Sequence, residues 1–233
     1  MTDHARVRYV VRYVVRYVCD MSDNNSTRED PQAAGEPSKS ELRHRALALR
    51  KRTTSHERLI AGRALVRELP ELTVRPHMTV AAYVSMGTEI ETRPLLAWLL
   101  TQDCTVLVPR LGSGLDIGWS VVRSLDDLQE VGGTGHLRPD EPSSDVLPPD
   151  ALKQADVVIA PALGVDSQGV RLGRGAGWYD RALAARRQDC LLIAVCWPWE
   201  VTGGRLPTQP HDVPADAVLT PAGYRRLRRR ADD

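Results

Sequence analysis

The chain has 233 residues, 42% of them hydrophobic and 26% charged, with a formal net charge of +1. That length suits one α/β domain of fair size, or at most two small ones, with the composition of an ordinary globular protein. A net charge so near zero gives no global electrostatic case for a nucleic-acid or membrane partner, and no apolar run reaches the roughly 18 residues that span a bilayer.

The chain opens on three copies of VRYV between Val7 and Val18. A basic amphipathic segment for a membrane or partner is one reading; a short repeat ahead of the true start, with Met21 as an alternative start, is the favoured one. Residues 21–37 are polar and rich in Ser, Asn, Asp, Glu and Pro, the composition of a disordered lead-in. Residues 1–37 are therefore expected to be a disordered or spurious extension, and residues 38–233 a single domain.

Order is expected to begin at Ser38. "SKSE" is a capping box, with Ser38 at the N-cap and Glu41 three residues on. Leu42, Ala46 and Leu49 follow at helical spacing. "TSHE" repeats the signal from Thr54 to Glu57 and opens a second helix to about Leu69. "MTVAAYVSM" (78–86) predicts a buried strand, "TRPLLAWLL" (92–100) a helix, "CTVLVPRL" (104–111) a strand and "LDIGWSVV" (115–122) an antiparallel one. "LDDLQE" (125–130) predicts a short helix, followed by a Gly- and Pro-rich stretch to about Pro149. "ADVVIAPAL" (155–163) predicts a strand, "WYDRALAARR" (178–187) a helix, "CLLIAVCW" (190–197) and "DAVLT" (216–220) strands, and "AGYRRLRRR" a terminal helix. Strands alternating with helices predict a three-layer, doubly wound, mostly parallel α/β sheet with helices on both faces, Rossmann-like in plan. Cys19, Cys104, Cys190 and Cys196 form no CxxC pair, so neither a zinc site nor a disulfide framework is indicated. With no secretory signal in view, thiols in a reducing cytoplasm are the expectation.

The densest chemistry lies in "GVRLGRGAGWYDRAL" (169–183), where Gly173, Gly175 and Gly177 alternate with other residues among Arg171, Arg174 and Arg181. In an open α/β sheet, ligands bind beyond the carboxyl ends of the strands, where a loop between strand and helix is placed to meet them. Glycine lets backbone N–H groups come close to phosphate oxygens, and the arginines add charge-assisted donors. The spacing is GxGxG rather than GxGxxG, and no Gly-Lys-Ser/Thr is present, so neither the dinucleotide fingerprint nor the P-loop is matched. A flexible surface loop is the alternative.

"RLGRGAGWYDR" closely resembles the signature of the 5-formyltetrahydrofolate cyclo-ligase family, whose usual form is RLG-x-G-x-G-YYDR; Trp178 stands for the first tyrosine. Three further stretches fit that resemblance. Lys39 and Arg43, four apart on one helix face, match the family's opening K-x-x-L-R, where the pair resembles a clamp on ATP phosphates; a solvated basic face is the alternative. "YVSMGTEIET" (83–92) matches a strand end, Y-x-S-x-x-x-E-x-x-T, and makes Glu89 and Val84 folate contacts with Met86 nearby. "LPTQPHDVPADAVLT" (206–220) matches a terminal P-x-x-x-HD, where the aspartate resembles a magnesium ligand; His211 meets the ligand or orders the loop. The chain departs from its relatives at Glu200, where glutamine is frequent, and at Val165, which precedes Asp166 where phenylalanine is frequent.

The resemblance implies ATP as co-substrate and Mg²⁺ held by Asp180 and Asp212. It implies ATP contacts from Lys39, Arg43 and the run Arg171, Leu172, Gly173, Arg174, Gly175, Ala176, Gly177, Trp178 and Tyr179, with Arg174 and Tyr179 closest to the chemistry. The implied reaction phosphorylates the formyl oxygen of 5-formyltetrahydrofolate and closes the ring through N10 to give 5,10-methenyltetrahydrofolate. Small molecules are the expected partners, with no nucleic acid or membrane, and a monomer is expected. A non-catalytic nucleotide-binding protein and a sugar-phosphate isomerase-like enzyme are the competing classes, because fold alone does not choose.

Overall fold

A computed structural model describes residues 37–111, 117–131 and 138–227. The VRYV repeat, the lead-in to residue 36 and the last arginines lie outside the described residues.

Two capped helices open the described residues: α1 (Lys39–Arg50) and α2 (Ser55–Glu68). Both capping boxes are closed, with the Ser38 and Thr54 hydroxyls accepting from the N–H groups of Glu41 and Glu57, whose carboxylates reach back to the cap residues. Strand β1 (Thr79–Ala81), helix α3 (Arg93–Thr101), β2 (Thr105–Leu111) and β3 (Ile117–Val122) follow. A small ribbon pairs β4 (Leu128–Gln129) with β5 (Glu141–Pro142), and a 3-10 turn over Pro149–Gln154 leads into β6 (Val157–Pro161). Next come the hairpin β7 (Gly164–Val165) and β8 (Arg171–Leu172), helix α4 (Trp178–Leu183), β9 (Leu191–Val195), β10 (Ala217–Thr220) and β11 (Gly223–Arg226).

The main sheet runs in the order β11-β10-β9-β6-β1-β2-β3. Its five central strands are parallel, and β11 and β3 are antiparallel edges. Both faces are covered, as a parallel sheet requires. Val80, Val106, Val157, Ile159, Ile193 and Leu219 face one core with Leu65 of α2 and Leu95, Leu96 and Leu99 of α3. Their neighbours Ala81, Leu107, Val158, Leu192, Ala194 and Val218 face another with Leu152, Ala182 and Leu183. The period of two in each strand thus feeds two separate layers, giving the doubly wound arrangement. Leaving β1, the chain fills the sheet outward through β2 and β3, then returns to β1's other side at β6. The crevice between β1 and β6 is the switch point where such sheets take ligands.

Several expected elements differ. The strand expected over 78–86 pairs only through Thr79–Ala81, because from Tyr83 the backbone turns to bond with Thr92 instead of a neighbouring strand. The helix expected over 125–130 is one 3-10 turn, Leu125–Asp127, capped by Ser124 and followed directly by β4. The helix expected over 178–187 ends at Leu183. The terminal helix is a strand: Pro221 to Gly223 turns the chain, Gly223 adopts φ +151°, and β11 pairs antiparallel with β10. The turn offered the bare edge of β10 a partner, which outweighed the helical propensity of the arginines.

Candidate active site

Two segments meet above the β1/β6 crevice. After β1, the chain runs extended to Ser85 and turns through Gly87, which has φ +62°. The turn is stapled from within: Ser85 N–H donates to Thr92 Oγ1, Thr92 N–H to Ser85 Oγ, and Thr92 Oγ1–H to the Tyr83 carbonyl. This holds Glu89 buried at the carboxyl end of β1, with Oε2 accepting the Met86 N–H at 3.0 Å. Val84 packs into the core, so its side chain serves the fold. After β6, the β7–β8 hairpin lifts the glycine loop, so the loop springs from a hairpin rather than directly from a core strand. Gly175 and Gly177 adopt φ of +104° and +64°, conformations that side chains other than glycine rarely take. Gly177 also starts α4.

The loop is tied to three elements. Arg43 donates Nε–H to the Gly173 carbonyl at 2.8 Å, and its guanidinium lies against Gly175. Arg174 donates Nε–H to Glu89 Oε1 at 3.2 Å. Arg171 is buried, bonds Asp180 at 3.0 Å through Nη2, and leaves its Nε without a partner among the described residues. Burial lowers the Arg171 guanidinium, with Asp180, Tyr179 and Asp212 nearby counteracting. Asp212 binds the Lys39 ammonium at 2.7 Å and accepts the Gln209 N–H at 2.8 Å through the same oxygen. Burial would raise this carboxyl, but those two donors outweigh it and hold it below the usual range.

Lys39 and Arg43, Glu89, the glycine loop, Asp180 and Asp212 are therefore linked in one region. Asp180 and Asp212 both act on Arg171, and among the described residues each keeps one oxygen without a hydrogen bond. Two such carboxylates suit a hard cation that takes few protein ligands, although among the described residues no group of three ligating side chains forms. Arg181 turns back onto the Ala176 carbonyl, and His211 is exposed beside Asp212. Trp178 packs edge-on against Trp119 and Tyr179, with ring centroids 5.6 and 4.9 Å apart. Burial first, then the nearby Glu89 carboxylate, pushes the Tyr179 phenol far up.

A model of the 5-formyltetrahydrofolate cyclo-ligase family matches residues 35–221. The chain belongs to this family. Among cyclo-ligases with this name, the Mycolicibacterium smegmatis protein is 39% identical over 148 residues, covering 61% of this chain and 73% of that one. The Escherichia coli K12 protein is 30% identical over 154 residues, covering 62% and 78%. In structure, the Aquifex aeolicus 5,10-methenyltetrahydrofolate synthetase superposes with TM-score 0.64 at 29% identity, over 84% of this chain and 95% of that one. The Mycoplasma pneumoniae synthetase, at 19% identity and TM-score 0.60, shares the fold over 79% of this chain and 99% of its own.

Sequence reading missed two structural anchors of the site. Arg50 and Glu200 form a buried two-point pair, and Asp166 takes the N–H groups of Gln168, Val170 and Leu206. The Asp-Ser-Gln-Gly run after β7 is an aspartate turn signal that points to the second. The first joins residues far apart in sequence and leaves no local pattern.

Proposed function

We propose that this chain converts 5-formyltetrahydrofolate to 5,10-methenyltetrahydrofolate, consuming ATP and releasing ADP and phosphate. The observation that carries the reading is the meeting of Arg174 and Glu89 over the β1/β6 crevice. A phosphate-only binder has no use for a buried carboxylate against its glycine loop. A pterin does, because its amino-pyrimidine edge offers two donors that one carboxylate accepts. Membership of the family and the names of the relatives support the same substrate pair.

In this reading Lys39, Arg43, Arg171 and the loop from Leu172 to Gly177 bind and orient the triphosphate. Transfer of a phosphoryl group needs positioning and charge neutralisation more than covalent help from the protein. Arg174 lies beside the transferred group and stabilises the charge that builds there. Trp178 and Tyr179 wall the site, and the phenol stays protonated, so it donates rather than accepts a proton. Asp180 and Asp212 are the residues that would hold Mg²⁺, which when bound neutralises phosphate charge. Glu89 orients the pterin, with the backbone at Val84 alongside, so that the formyl oxygen faces ATP. Phosphorylation makes that oxygen a leaving group; N10 attacks the carbon and gives up its proton, the carbon–oxygen bond breaks, and phosphate departs. Residues 38–233 act as one catalytic domain, monomeric and cytoplasmic, behind an extension over 1–37.

The test is ADP release from ATP with and without the folate. ADP should form with 5-formyltetrahydrofolate and not with tetrahydrofolate lacking the formyl group. Release that ignores the formyl group contradicts the proposal.

A further inference from the structure

The helix that carries Lys39 and Arg43 is thinly attached by apolar contact. Of the twelve residues of α1, only Ala46 and Arg50 are buried, whereas α2 buries Ala61, Gly62, Ala64 and Leu65. Among the described residues Ala46 clusters with the buried Leu163 and Leu172, with Leu42, Leu47 and Leu206 half-buried around them. An alanine methyl contributes little, at about 0.8 kcal/mol per buried carbon group, so something else fixes where this helix points.

Lys39 and Arg43 bond Asp212 and Gly173 at its start, and the anchor at its other end is Arg50. Its Nε–H donates to Glu200 Oε1 at 2.6 Å, and its Nη2 donates to Glu200 Oε2 at 2.7 Å and to the Ala162 carbonyl at 2.5 Å. Glu200 Oε2 also accepts the Trp197 N–H at 2.9 Å. The two side chains are 3% and 2% exposed. One guanidinium therefore ties the last turn of α1 to the segment leaving β6 and to the segment leaving β9. Burial opposes both charges: it raises the Glu200 carboxyl, while for Arg50 the two-point contact with Glu200 outweighs it and holds the proton more firmly.

We propose that Arg50 and Glu200 are a positioning pair that aims α1, and with it Lys39 and Arg43, at the glycine loop, and so sets the affinity for ATP. This rests on the reading that the loop takes the triphosphate. A buried ion pair is a poor source of stability, since apolar residues of similar volume hold a helix as well or better. What the planar fork adds is a fixed rotation and tilt. Leverage makes this matter. Lys39 lies eleven residues from Arg50, about 16 Å along a helix rising ~1.5 Å per residue, so a tilt of about 10° at Arg50 moves Lys39 by ~3 Å. A displacement of that size misplaces a phosphate ligand.

The test compares wild-type chain, the double variant Arg50→Met with Glu200→Leu, and the single variants Arg50→Lys and Glu200→Gln. Each is measured for thermal midpoint, ATP dissociation constant by calorimetry, and the separate KM values for ATP and 5-formyltetrahydrofolate. The double variant should keep a wild-type midpoint yet bind ATP about tenfold more weakly, with the folate KM within about twofold. Arg50→Lys, which keeps the charge and loses the fork, should share the ATP defect. Glu200→Gln, which leaves one carbonyl oxygen and sets an NH2 group against the N–H donors of Arg50 or Trp197, loses the two-point contact and should share the ATP defect. A folded double variant with wild-type ATP affinity, or an equal loss for both substrates, overturns the positioning role. If the double variant does not fold, Arg50→Lys decides the matter by the same criterion. A wild-type chain that binds no ATP overturns the reading of the loop and the pair's role with it, and the wild-type titration tells that failure from failure of the pair alone.

Discussion

Arg174 Nε–H and Glu89 Oε1 lie 3.2 Å apart, joining the loop after β6 to the turn after β1 across the switch crevice. The carboxylate is 4% exposed and the guanidinium 35%. Two groups assigned to different substrates thus satisfy one another in the free protein. In the proposed function, binding exchanges this contact for contacts to ATP and the pterin. Arg174→Ala should lower turnover on the order of 10²- to 10³-fold, as loss of one transition-state donor does. Because the guanidinium is partly exposed, the circular dichroism spectrum should not change. Normal turnover in that variant would sink the role.

Glu89→Gln separates the two substrates. An amide oxygen can still accept the Met86 N–H, so the turn should hold. The charge-assisted bonds to the amino-pyrimidine edge are lost, which raises the KM for 5-formyltetrahydrofolate by about tenfold or more. The KM for ATP should move far less. A larger change for ATP than for the folate would place Glu89 elsewhere.

The glycines give a sharper contrast. A Cβ added at Gly173 meets nothing within 4 Å in the free protein, and Gly173 has no positive φ. Gly173→Ala should therefore keep its thermal midpoint yet bind ATP on the order of 10-fold more weakly, because the methyl occupies space the phosphates need. At Gly62 the added Cβ would lie 1.9 Å from the Glu91 carbonyl oxygen. Gly62→Ala should thus destabilise the fold by about 1–3 kcal/mol or more, read as a lower midpoint in urea. Unaltered ATP affinity in Gly173→Ala contradicts close approach of the phosphates at that residue.

Tyr179 is predicted not to be a general base. Burial and the neighbouring Glu89 keep its phenol protonated far above neutral pH. Tyr179→Phe should leave the shape of the pH–rate profile unchanged between about pH 7 and 10, where an ordinary tyrosine begins to ionise. An alkaline limb present in wild type and absent in this variant would show that Tyr179 titrates during the reaction.

Much of the sheet and most segments of the candidate site were legible because they are local. The capping boxes at Ser38 and Thr54 need four residues each, and the apolar strands announce themselves by composition. The glycine loop declares its conformation through Gly175 and Gly177. Non-local relationships were not legible in this way. The β10–β11 hairpin depends on an open sheet edge that composition does not reveal, so "AGYRRLRRR" (222–230) suggests a helix. Arg50 looked like one more arginine in an arginine-rich helix, because its partner Glu200 becomes a neighbour only once β6 and β9 are paired.

The most direct measurement mixes the purified chain with 5-formyltetrahydrofolate, ATP and Mg²⁺ and follows the near-ultraviolet absorbance of the methenyl product, omitting each component in turn. Product should form only when all three are present. ATP binding without product under any combination would contradict the proposed function, leaving the glycine loop as a phosphate cradle in a protein with another substrate or none.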